Sequence, residues 1–381
     1  MPKFSSKRPL AQLTQWLVLL VLWVGVPLLM VELVMIFFEP VLFNKTFYQY
    51  DPDMGFRVRP YTLGSNQFGF NDRDYSLEKD PSAFRMLFVG DSFSWAGGQE
   101  GNYTALLENQ LQNTPNLPPV EVINTGYPMT HTGEQLIVLQ KYGLQYNPDL
   151  VVLGFFAGND FIDADPYRKR IVVNDTQIDI DKRREVRFLG YPIIGRSRLV
   201  LFVQQKYQVF REMMKIEQAA HANESAPITF SEETFLQIEL ARMEFCHLEK
   251  QSQGYYQANI DYILNSVSQM NEILKARDIQ FIVALYPDEF QVNSELQNTL
   301  FERFDLNRED YDLECFQKIL IEHLEKENIP YLDLLQPFQA ASQTQSLYLL
   351  RDTHWNAEGN QLAANLLYEY LLKTVDSLPS P

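Results

Sequence analysis

The chain has 381 residues, 46% of them hydrophobic, and a formal net charge of −17. That is core enough for one large domain or two small ones, and the acidic surface argues against nucleic acid or an anionic membrane as the main partner of the soluble part. Cys246 and Cys315 form no CxxC pair, and the histidines are scattered at 131, 221, 247, 323 and 354, so a structural metal site is not expected.

The first element is a membrane anchor. From Trp16 to Phe38 the run is apolar apart from Glu32. At ~1.5 Å rise per residue it measures about 34 Å, against ~30 Å for the hydrocarbon of a bilayer. No A-x-A-like cleavage site follows it, and Leu17 to Val31 lacks the polar face of a buried core helix, so the run is expected to stay in place. Lys3, Lys7 and Arg8 precede it. Glu39, Asp51 and Asp53 follow, with Lys45 the only early base. The positive-inside rule then puts residues 1–15 in the cytoplasm and the chain after 38 outside it. Glu32 is costly in lipid and must reach the interface or find a partner.

Residues 39–84 form a juxtamembrane segment in which QYDPDMGFRVRP reads as turn, short strand, turn. An α/β domain is expected over 85–376. Its strands are MLFV (86–89), VEVIN (120–124), DLVVLGFF (149–156), QFIVALYP (280–287) and IPYLDL (329–334). Helical periods lie between and after them, over 102–113, 133–145, 256–276, 309–326 and 356–373. Strands alternating with helices imply a parallel sheet covered on both faces.

Residues 161–255 are too long for a loop. RIVVNDTQIDIDKRREVRF reads as a polar hairpin and 199–218 as an amphipathic helix, together an inserted cap. The insert holds a basic island, Arg168, Lys169, Arg170, Lys182, Arg183, Arg184 and Arg187. It is either an anion-binding rim or a solvated face balanced by Asp179, Asp181 and Glu185.

Four short strings stand at strand ends or before the last helix. Gly90-Asp91-Ser92-Phe93 follows the first strand, where a serine sits at the ligand-binding edge of an open α/β sheet. Helix N–H groups point at that edge; a helix-capping serine is the plain alternative. Gly126, in Asn124-Thr125-Gly126, lets a backbone N–H come close to a substrate oxygen, or simply makes a turn. Asn159, in Gly158-Asn159-Asp160, could aim an amide at an oxyanion or form an Asx turn. Asp352 and His354, in Arg351-Asp352-Thr353-His354-Trp355-Asn356, offer a base with its orienting acid in one loop.

In this order, the four strings resemble the blocks of the SGNH hydrolases, also called GDSL esterases, over about 85–373. The resemblance implies a flavodoxin-like three-layer α/β/α sandwich without a cofactor. It makes Ser92 the nucleophile and His354 the base, with the Ser92 N–H, Gly126 and Asn159 as the oxyanion hole. One departure matters. Position 351, three before the histidine, is Arg rather than the usual acid, and Asp352 stands two before. This D-x-H-W string is similar to that of SGNH-like polysaccharide O-acetyltransferases of bacterial envelopes, although there it precedes the serine block.

Three functions stay open: hydrolysis of an envelope or extracellular ester such as an O-acetylated carbohydrate or lipid, O-acetyl transfer onto an extracytoplasmic polysaccharide, and a catalytically idle binding module. The expected partners are an ester or glycan substrate and, through 16–38, the lipid bilayer. A location outside the cytoplasm permits a Cys246–Cys315 disulfide. A buried free thiol in the helix around Cys315 is the alternative.

Overall fold

The computed structural model describes residues 8–38, 47–173, 176–221 and 229–375. Lys3, Lys7, Glu39 and Lys45, on which the orientation of the anchor rests, lie outside them. The chain divides into two compact units, Arg57–Lys169 with Ala226–Pro381, and Met1–Phe56 with Arg170–Ser225.

The larger unit is built on five strands: β1 (Phe84–Val89), β2 (Val120–Asn124), β3 (Leu150–Phe156), β4 (Gln280–Tyr286) and β5 (Tyr331–Asp333). They lie in the order β5-β4-β3-β1-β2, and every neighbouring pair is parallel. Every residue of β1 and β3 is buried, as a sheet covered on both faces requires. On one face Met86, Phe88, Val122, Val152 and Ala284 pack with the helices Tyr103–Gln112 and Ala357–Thr374. On the other, Leu87, Val151, Leu153 and Val283 are buried, and the helices Thr132–Lys141 and Gln257–Lys275 cover them. This is the expected α/β/α sandwich. The chain leaves β1 for β2 on one side and returns to β3 on the other. The crevice outside the carboxyl ends of β1 and β3 is therefore the topological switch point, where open α/β sheets take ligands.

Some elements differ from the sequence reading. The helix expected over 309–326 begins only at Cys315, because Arg308–Asp310 forms its own turn capped by Asn307 and Asp312 N–H is tied to Cys246 O. Cys246 and Cys315 are joined by a disulfide, with their Cα atoms 5.5 Å apart. The helices Glu232–Met243, Ser294–Arg303 and Leu335–Ser342 fall where no element was assigned.

The expected single insert is divided between the units. Residues 226–255 belong to the sandwich, whereas 170–225 group with the N-terminal segment, around a small apolar core of Ile171, Val173, Ile178 and Leu201. Among the described residues, one helix, Gln12–Phe37, is long and apolar enough to cross a membrane. It widens into a π-helical turn at Val21–Gly25. Glu32 has found its partner in this unit. Its carboxylate accepts the N–H groups of Arg198 at 2.5 Å and Leu199 at 3.0 Å, which open the helix Arg198–His221. A carboxylate there satisfies orphan donors and meets the positive end of the helix dipole.

The basic island is largely paired: Arg170 with Asp179 (3.6 Å), Arg183 and Arg184 with Asp181 (2.9 and 3.8 Å), Arg187 with Glu185 (2.9 Å). That is the arrangement of a balanced face. A second hairpin, Val186–Phe188 against Tyr191–Ile193, was not anticipated. Its turn residues Leu189 and Gly190 both take positive φ, 48° and 84°, as a tight hairpin of this hand demands.

Candidate active site

The first strand ends at Gly90, and a short helix, Ser92–Trp95, begins two residues later. Its cap is Asp91, whose Oδ1 accepts the Phe93 N–H at 2.9 Å. Ser92 therefore does not serve as the cap; it is the first helical residue. Its N–H has no partner among the described residues, as expected at a helix start. Gly90 is needed for close approach, since a Cβ there would collide with Ser94 Oγ.

The second string is sewn to the first. Thr125 N–H donates to Phe88 O at 2.8 Å and Tyr127 N–H to Gly90 O at 3.0 Å. Gly126 sits against Ser94, where any side chain would strike Ser94 Cβ. Its N–H, however, donates to Asn124 Oδ1 at 2.9 Å, and Asn124 Nδ2 in turn holds Ser94 O at 2.5 Å. The expected oxyanion donor at Gly126 is thus occupied by its own strand end.

The third string reaches the first through Asn159, whose Nδ2 donates to Asp91 Oδ2 at 3.0 Å. An amide carries two hydrogens, so one remains for another acceptor. Turn-making falls to Asp160 instead. Its carboxylate accepts Phe156 N–H at 2.9 Å and both Thr132 N–H (2.5 Å) and Oγ1 (2.7 Å). Burial, and then the charge of Asp91, push the Asp160 carboxyl well above the usual range.

The last string forms a hairpin. Tyr348 bridges Trp355, Leu349 N–H donates to His354 O at 2.9 Å, Asn356 N–H donates to Leu347 O at 3.0 Å, and Arg351 at the tip takes φ 50°. The bend lets Asp352 Oδ1 reach His354 Nδ1 at 2.6 Å and the His354 N–H at 3.0 Å. The other oxygen of Asp352 accepts from Thr229 Oγ1 at 2.5 Å. Burial opposes ionisation of Asp352, but the bonds from His354 and Thr229 prevail and bring its pKa to about 2.

His354 Nε2 is buried without a hydrogen-bond partner, and no bond joins it to Ser92. The two neighbourhoods still meet. The Phe93 ring lies 5.3 Å from the His354 ring and 4.9 Å from Trp355. Trp355 is packed among Tyr103, Tyr286 and Phe338 at 4.9–5.9 Å. The tryptophan of the D-x-H-W string is thus the peg that seats the histidine loop. Catalytic hydrogen bonds are often unmade before substrate binds.

Two groups beside the site were given no role from the sequence. Asp91 is fully buried; burial lifts its carboxyl from 3.8 to about 6, against bonds from Phe93 N–H and Asn159 and the attraction of His354. Arg242 bonds Glu239 at 3.1 Å and Asp288 at 3.3 Å. Its guanidinium stands 5.3 Å from the Phe156 ring and within electrostatic reach of Asp91. Arg242 lies in the stretch read as cap, and only the fold brings it to the end of β3.

Residues 245–380 match the family model described as SGNH hydrolase-like domain, acetyltransferase AlgX. The match includes the histidine string and lies beyond the serine string. No curated protein matches the chain. Among solved structures, the acetyl xylan esterase AlAXEase is 15% identical, with 76% of this chain and 100% of that chain covered and a TM-score of 0.40. A catalytic mutant of an acetylxylan esterase from Geobacillus stearothermophilus is 12% identical, with 80% and 100% covered and a TM-score of 0.41. A GDSL-like lipase from Bacteroides thetaiotaomicron VPI-5482 is 11% identical, with 79% and 93% covered and a TM-score of 0.39. Over the part it covers, which holds the histidine string, the family model agrees with the resemblance.

Proposed function

We propose, from the premise that this chain carries an SGNH hydrolase-like domain, that it moves acyl groups through an acyl-serine intermediate on Ser92. His354 Nε2 takes the Ser92 proton as the hydroxyl oxygen attacks an ester carbonyl. Asp352 fixes the Nδ1–H tautomer and stabilises the imidazolium. The Ser92 N–H and the second hydrogen of Asn159 Nδ2 meet the oxyanion. Gly126 joins them once its N–H leaves Asn124. The alcohol departs with the proton from His354. Water or a sugar hydroxyl then attacks the acyl-serine by the same steps in reverse.

The observation that carries this reading is the 2.6 Å bond between Asp352 and His354 Nδ1, with Nε2 left buried and unpartnered. A fluorophosphonate should label the intact chain in detergent, and Ser92→Ala should abolish labelling and aryl-acetate hydrolysis. Labelling retained on another serine refutes the assignment.

The acceptor is the second question. The family description names an acetyltransferase, which favours O-acetyl transfer onto a glycan as the alternative to hydrolysis. Product analysis with an aryl acetate and added glycan separates the two: acetylated sugar marks a transferase, free acetate a hydrolase.

The anchor and a location outside the cytoplasm belong to the same proposal. They are supported by the apolar helix Gln12–Phe37 and by the Cys246–Cys315 disulfide, which suits an oxidising compartment. Protease added to spheroplasts should digest residues beyond 45. Protection until lysis overturns that orientation.

A further inference from the structure

Glu32 sets the level at which the second long helix starts. It lies five residues before Phe37, the end of the apolar helix, so about 8 Å deeper along the axis at ~1.5 Å per residue. The N–H groups of Arg198 and Leu199 are bonded to it, so the first turn of Arg198–His221 is level with apolar residues of the span. A helix that starts there presents its outward face to whatever surrounds the span.

That outward face is apolar. Val200, Val203, Tyr207 and Phe210 are each more than half exposed. At ~100° per residue they fall within an arc of about 80°, while Leu201, on another side, is buried in the small core. The unexpected hairpin repeats the pattern. Val186, Phe188, Leu189 and Ile193 are exposed, with Leu189 at the tip reaching 71%. Phe188 touches the end of the span, its ring 6.4 Å from that of Phe37. Exposed cations flank both features, Arg183 and Arg184 before the hairpin and Arg196 before the helix.

We propose that the hairpin tip 186–193 and the helix from Arg198 form a membrane-interface platform. Their apolar side chains enter the headgroup–acyl boundary of the leaflet at the outer end of the span, and the arginines lie at phosphate level. This rests on the reading of Gln12–Phe37 as a membrane span. The occupant is lipid because the apolar faces continue the surface of the span itself, and an interfacial helix needs this combination of apolar side and basic flank.

The full chain is reconstituted into phosphatidylcholine–phosphatidylglycerol vesicles after labelling Leu189→Cys, Val203→Cys, Val24→Cys or Tyr61→Cys, one at a time, with an environment-sensitive fluorophore and the native disulfide intact. The Leu189→Cys and Val203→Cys labels should blue-shift, escape aqueous iodide, and lose more emission to lipids with a nitroxide at carbon 5 than at carbon 12. The Val24→Cys label should be quenched most by carbon 12, and the Tyr61→Cys label only by iodide. If iodide quenches the first two labels like the Tyr61→Cys label while the Val24→Cys label stays deep, the platform is wrong and the span stands. Shielding from both iodide and lipid nitroxides means a protein covers the face, which also overturns the platform. A Val24→Cys label open to iodide removes the span and the platform together.

Discussion

At Asp91, burial and hydrogen bonding pull in opposite directions and burial wins, leaving a carboxyl that ionises near pH 6 beside the histidine loop. The folded protein holds this proton more tightly than the unfolded chain, whose carboxyl titrates near 3.8. Its contribution to stability is therefore full below about pH 4 and lost as pH rises through about 6. Asp352 behaves oppositely. With its pKa brought to about 2, it stabilises above about pH 4, and that contribution disappears as pH falls through 2. Once ionised, Asp91 also adds a negative charge near the imidazolium that develops as Ser92 attacks, so kcat/KM should rise with pH through about 6. Asp91→Asn should remove both the rising limb and the loss of thermal stability between pH 4 and 6; a limb that survives the substitution shows that another group sets it. Asp352→Asn keeps the shape of the loop but favours the wrong tautomer, a change that costs ~10⁴-fold in turnover in the serine-protease template. Near-normal turnover in that variant, with His354→Ala inactive, reduces the site to a dyad.

The elements show why some of the site was legible and some was not. Each catalytic string is local: a strand end, a turn and a few residues, with Asp352 and His354 two apart. The pattern of short strands and helical periods located all five sheet strands for the same reason. The links between the strings are not local. Asn159 finds Asp91 across 68 positions, and Arg242 finds Asp288 across 46. No spacing rule announces either contact. Asn124 looked like the last letter of a strand, yet it occupies the Gly126 N–H and holds Ser94. The division of the insert was hidden as well, because it depends on Leu201 packing with Ile171 and Val173 and on a carboxylate far upstream. Trp355 offers a test at this scale. It is nearly fully buried and rigidly seated, so Trp355→Ala should lower stability by about 3–5 kcal/mol, read from urea unfolding. Trp355→Phe should recover much of the stability. If the alanine variant unfolds at the wild-type midpoint, the loop is held by its hairpin alone.

Across the whole molecule, the disulfide spans the α/β unit. Cys246 and Cys315 are 69 positions apart, and closing such a loop is worth roughly 4 kcal/mol in the chain-entropy account. Cys246→Ala with Cys315→Ala should lower unfolding stability by that order and leave labelling at Ser92 unchanged under native conditions. Thiol titration of the unfolded, unreduced protein should find no free cysteine; two titratable thiols contradict the bond. The pairing of Glu32 with the helix at Arg198 acts on another clock. The two lie 166 positions apart, so at ~5–20 residues per second the ribosome delivers Arg198 some 8–33 s after Glu32. On the proposal that Gln12–Phe37 crosses a bilayer, the nascent helix carries during that interval a carboxylate with no helix end to meet it. The insertion machinery would then have to shelter that residue or hold it at the headgroups, and the first helix would reach its final depth only after the second had emerged. Assembly of the proposed anchor would thereby be ordered, completed by a segment made long after it.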